Sequence, residues 1–154
     1  MTTVRKRSWA EGDIEAGNAR VHYYRTGLGE QPPVVLAHGF SDNGLCWRRM
    51  AQALEADFDV VMVDARNHGR STTAAVGVSK MADDLAAVVV GLALQRPTVV
   101  GHSIGAATAA EMAAGIRISQ RDLSSRIHRG AKPRSNPSQT RNAVSMVSAR
   151  GWHR

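Results

Sequence analysis

The residues best suited to chemistry are Gly101-His102-Ser103-Ile104-Gly105, a G-x-S-x-G. Pro97 to Val100 before it is a short apolar run that reads as a buried strand, and the alanine-rich Ala106 to Ala114 after it reads as a helix. A serine at so tight a strand-to-helix turn takes a strained backbone, so glycine two residues before and two after has a steric cause. The turn lifts the hydroxyl out of the sheet. The helix behind it aims N–H groups and a partial positive charge at any oxyanion forming there. Ser103 is therefore the candidate nucleophile, and it needs a base to take its proton.

A second element lies upstream. Leu36-Ala37-His38-Gly39-Phe40 ends another apolar strand in a His-Gly turn, and the backbone amides of Phe40 and Ile104 are the expected pair of oxyanion donors. His38 stands too early, and on the wrong loop, for a general base; it is expected to hold its loop by hydrogen bonds. Asp64, Arg66, Asn67, His68, Gly69 and Arg70 follow a further strand. They are expected to brace that loop, with a catalytic role for Asp64 or His68 as the alternative.

These residues need a scaffold. Trp9 to Glu15 and Ala19 to Arg25 read as a β-hairpin turning at Gly17 and Asn18. VVLAHG and Phe58 to Val63 read as buried strands, and Trp47 to Leu54 has helical spacing. A helix is expected from Ser79, as N-cap, to Leu94, with Met81, Leu85, Val88, Val89 and Leu92 on its apolar stripe. Strands alternating with helices in this way predict a parallel sheet covered on both faces.

HGFSDNGLCW, then VVMVDARNHGRS, then VVGHSIGAA resemble the N-terminal half of α/β-hydrolase-fold enzymes, in the branch of small-substrate esterases, epoxide hydrolases and C–C or lactone hydrolases. The resemblance covers about Trp9 to Ala114. It implies an α/β class and a partial α/β-hydrolase fold: an N-terminal β-hairpin, three parallel strands with crossover helices, then a disordered basic tail. It places Ser103 at the nucleophile, Phe40 and Ile104 at the oxyanion amides, and Asp42 and Trp47 near the site entrance. Aspartate at the elbow would imply epoxide or haloalkane hydrolysis; serine implies acyl-ester hydrolysis of a small molecule, and a perhydrolase would use the same serine. The family's later acid and histidine have no counterpart set on a strand end. Asp122, His128 and His153 qualify by chain order alone.

Of the 154 residues, 43% are hydrophobic and 21% charged, as in a soluble globular protein. The net charge of +7 is unevenly spread: residues 1–115 hold 11 Lys or Arg against 12 Asp or Glu, and residues 116–154 hold 9 against one, Asp122. Two parts are expected, a hydrolase-like 1–115 and a basic 116–154. The second is rich in Ser, Arg, Asn and Pro and is expected to be disordered, or to be a frameshifted or prematurely ended reading. Arg126 to Gly130 has codon choices that, shifted by one base, spell Glu-Asp-Pro-Pro-Trp. The open edge of a sheet ending at its third parallel strand predicts self-association.

The alternative to an impaired hydrolase is a non-catalytic binding protein using the tail. Nucleic acid is disfavoured as its partner, because Trp152 is the only aromatic among those arginines. No run is apolar enough to span a membrane, Cys46 is a lone cysteine, and no metal cluster or phosphate-cradling loop is present. A cytoplasmic, cofactor-free protein is the expectation.

Overall fold

The computed structural model describes the backbone of residues 9–127 and 146–148 and the side chains of residues 9–115. Strands β1 (Ala10–Ala16) and β2 (Ala19–Arg25) form the hairpin. Ala16 faces Ala19 across the two-residue turn, where Gly17 takes φ 61°. Then come β3 (Pro33–Ala37), a 3-10 turn (Gly44–Trp47), α1 (Arg48–Leu54), β4 (Asp59–Val63), α2 (Val78–Gly91), β5 (Thr98–Gly101), α3 (Ile104–Ile127) and β6 (Met146–Ser148).

One sheet holds all six strands in the order β1-β2-β4-β3-β5-β6. β2 runs antiparallel to β4, while β3, β4, β5 and β6 are mutually parallel. Alternation along β3, β4 and β5 feeds two cores. Val35, Ala37, Val61, Val63 and Val99 face Leu85 and Val88 of α2 and Ala109 and Met112 of α3. Val34, Leu36, Val60, Met62 and Val100 face Ala51 of α1. Near-continuous apolar strands are what a parallel sheet buried on both sides requires.

Three expectations are corrected. Ser79 is not an N-cap: Met81 N–H already bonds Gly77 O at 3.0 Å, so the helical ladder starts earlier, and Ser79 Oγ donates instead to Glu111 at 3.2 Å. The helix after Ser103 does not stop at Ala114. Residues 116–127 contain neither glycine nor proline, and α3 continues to Ile127. The edge of β5 is not left open, because Met146–Ser148 pairs with it in parallel register, Val99 opposite Met146 and Gly101 opposite Ser148. That pairing takes up backbone groups through which self-association was expected. The remainder of the expected tail lies outside the described residues.

Candidate functional site

Ser103 stands between β5 and α3 with φ 53°, a left-handed backbone that serine rarely adopts. The flanking glycines have separate steric reasons. A methyl on Gly101 would lie 2.4 Å from Ala106 N, and one on Gly105 would lie 2.3 Å from Ala37 O and 2.6 Å from His38 O. α3 thus begins hard against the end of β3. His102 N–H bonds Ala37 O at 3.1 Å and ties the same two segments together.

The loop after β3 lies beside the serine. A methyl on Gly39 would come within 3.4 Å of Ser103 Cβ and 2.8 Å of His102 Nδ1. Among the described residues no acceptor takes the N–H of Phe40 or of Ile104, and no side chain takes a hydrogen bond from Ser103 Oγ. The Phe40 and Ile104 amides are thus unpartnered among the described residues, and the Ser103 hydroxyl is exposed.

His38 is 2% exposed and bridges two loops. Its Nε2 accepts the Ala65 N–H at 3.0 Å, so that nitrogen carries no proton, and Nδ1–H donates to Gly39 O at 2.6 Å. Burial holds its imidazole below the usual histidine range. It is a neutral brace with both nitrogens occupied.

Asp64 is fully buried, and its carboxylate accepts Gly44 N–H at 2.7 Å and Arg70 N–H at 2.8 Å. Ser71 Oγ donates to its carbonyl at 2.7 Å. A methyl on Gly69, at φ 53°, would stand 2.1 Å from Asp64 Oδ2, so only glycine closes this turn. His68 donates from Nδ1 to Arg66 O at 2.9 Å. These contacts tie the loop to itself and to Gly44.

The two residues expected at the entrance differ in exposure. Asp42 is exposed and accepts Asn43 N–H at 3.0 Å. Trp47 instead packs on the α1-side core, where its indole N–H is buried without a partner among the described residues. Cys46 reaches the surface, yet desolvation of its thiol and Asp42 beside it push it up to about 12, which keeps it a thiol at neutral pH.

Sequence reasoning missed the partner of Arg66. Its Nε and Nη2 reach both oxygens of Asp84 at 2.7 Å, and its Nη1 donates to Ala75 O at 2.7 Å. Both side chains of the pair are buried. The signal was available: Asp84 falls on the stripe of Met81, Leu85 and Val88, where a carboxylate requires a partner. Arg25, half-buried, pairs with the buried Asp59 at the opposite end of the sheet.

A cavity of about 20 Å³ lies behind the elbow, lined by His38, Asp84, Gly105 and Thr108 among others. It has room for about one water. A groove of about 550 Å³ is lined by Arg25, Pro32, Pro33 and Asp59. Pro32, Pro33 and Asp59 start or precede the parallel strands, and Arg25 ends the antiparallel β2 beside them, whereas ligands of such sheets bind at the parallel strands' carboxyl ends, where Ser103 is. No described helix is long and apolar enough to cross a membrane.

Residues 32–138 match a family described as alpha/beta hydrolase fold. Epoxide hydrolase 3 of Mus musculus is 28% identical over 102 residues, 64% of this chain and 28% of that protein. N-formylmaleamate deformylase of Pseudomonas putida is 32% identical over 108 residues, 68% of this chain and 40% of that protein. Among solved structures, the thioesterase domain from the curacin biosynthetic pathway is similar with a TM-score of 0.64 and 29% identity, over 70% of this chain and 42% of that one. The chain thus spans well under half the length of either curated relative.

Proposed function

The chain belongs to the α/β-hydrolase-fold family, and from that premise we propose that it carries the nucleophile half of a serine hydrolase acting on small acyl esters. Ser103 attacks the ester carbonyl, the Phe40 and Ile104 amides receive the oxyanion, and an acyl-Ser103 intermediate forms as the alcohol leaves. The observation that carries this reading is the positive φ of Ser103 beside two unpartnered amides. The relatives' printed names cover epoxide, deformylase and thioesterase chemistry. Serine at the elbow favours acyl transfer over epoxide opening, because an epoxide would leave an alkyl ether that water does not readily cleave.

No base stands in hydrogen-bond reach of Ser103 Oγ among the described residues, so this chain is an impaired catalyst in our reading. Oxyanion donors and binding alone leave roughly 10³-fold acceleration over water. The reading needs no cofactor and places the protein in the cytoplasm, on the lone cysteine and the lack of an apolar run in the sequence. The 1–115 and 116–154 division is retained as a division of charge. Incubation with p-nitrophenyl acetate, followed by intact and peptide mass spectrometry, is expected to show slow acetylation confined to Ser103 and lost in Ser103→Ala. Acetylation elsewhere at equal rate, or persisting in that variant, overturns the assignment.

A further inference from the structure

Two flat rings lie on the loops after β3 and β4, and the first of these loops passes beside the proposed nucleophile. Phe40 is 77% exposed although it is large and apolar, and its ring meets that of His68 edge-on, centroids 5.8 Å apart at 79°. His68 in turn meets the buried His38 edge-on at 5.1 Å and 64°. The ladder is fixed at its inner end, because both nitrogens of His38 are bonded and His68 Nδ1 is held by Arg66 O. Its outer end, Phe40, follows directly on Gly39, where an added methyl would meet Ser103 and His102. His68 Nε2 has no hydrogen-bond partner among the described residues.

Charge on the same three loops narrows what this wall accepts. The two cations there are committed, Arg66 to Asp84 and Arg70 to Glu11, each at 2.7 Å. Asp42 is exposed and has no ion-pair partner among the described residues. An anionic substrate group would find no free cation here and would face a carboxylate.

Resting on the reading of Ser103 as nucleophile, we propose that Phe40 and His68 are the specificity-determining residues of this site, binding an uncharged ester through a planar aromatic ring. That ring extends the edge-to-face ladder by one member. Such pairs favour an aromatic ring over an aliphatic group of similar size by about fivefold.

Boronic acids test this on the full chain, since the serine oxygen adds to boron while its proton passes to solvent. Binding is followed by amide and aromatic NMR shifts. Phenylboronic acid is expected to bind about fivefold more tightly than butylboronic acid, and 4-carboxyphenylboronic acid more weakly than phenylboronic acid. Phe40→Ala and His68→Ala should bring the phenyl-to-butyl ratio near one, and His68→Phe should retain it. A ratio near one in the unaltered chain, or one unchanged in both alanine variants, overturns the aromatic wall while leaving Ser103 in place.

Benzyl alcohol and cyclohexylmethanol, which need no nucleophile, separate the two readings. If no boronate binds but benzyl alcohol alone shifts Phe40 and His68, equally in Ser103→Ala, the wall stands and the nucleophile assignment fails. If neither class of probe shifts these residues, both readings fail.

Discussion

The loop after β4 and the loop after β3 differ in how their polar groups are used. After β4, Asp64, Arg66, Asn67 and Ser71 each have hydrogen-bond partners, and Asn67 clamps both the N–H and the carbonyl of Ala74 at 2.7 and 2.8 Å. After β3 and at the elbow, the Phe40 and Ile104 amides and the Ser103 hydroxyl are free among the described residues, and the Phe40 ring faces solvent. In the first loop these four polar residues are bonded, and at the second the two amides and the hydroxyl are not. An oxyanion donor already bonded to protein has no capacity left for a substrate.

This contrast is broken most severely by Arg66→Ala. Leaving the Asp84 carboxylate buried and alone is expected to cost about 3–5 kcal/mol, read as a collapse of the urea midpoint or as insoluble protein. Arg66→Met combined with Asp84→Leu should recover much of that loss; no recovery would show that the carbonyl bonds to Ala75 and Lys80 matter more than the ion pair.

Gly69→Ala acts on the same brace more narrowly. It strains the backbone and drives a methyl into Asp64, at a cost of about 2 kcal/mol. A midpoint within error of the parent would refute the close approach.

pH sharpens the contrast through His38. Burial lowers its folded pKa beneath the ordinary 6.5, so as pH falls below that value the unfolded chain takes the proton first. Its contribution is complete above about 6.5 and is lost as pH falls toward the folded value. Urea midpoints measured from pH 8 to pH 5 should fall, and the fall should lessen in His38→Gln. An identical slope in the variant would remove His38 as its source.

The smallest effect has the opposite sign. Ser103→Gly relieves the positive φ at an exposed position and should stabilise the fold by about 1 kcal/mol while abolishing acetylation. Destabilisation would mean that the Ser103 side chain supports the turn.

Much of the scaffold is legible in the order of residues alone. The hairpin register, the three apolar parallel strands and the glycine at 101 follow from local rules: period-two burial, a two-residue turn, and the lack of space for a Cβ beside Ala106 N, whereas Gly105 is required by Ala37 O across the fold. The less legible parts are pairings across long loops. His38 reaches Ala65, 27 positions on, and Arg66 reaches Asp84, 18 positions on. The start of α2 is another, because at Ser79 a backbone bond takes the place of a side-chain cap.

The sequence by itself determined the order of elements and the tight turn at Ser103, because hydrophobic period and turn sterics act between residues near one another in the chain. Only the tertiary structure decided which buried charge met which, that Trp47 joins the core while Phe40 faces solvent, and that Met146–Ser148 covers the edge of β5. Hydrogen bonds and ion pairs act over a few ångströms of space. Their partners exist only once the chain has brought distant segments together.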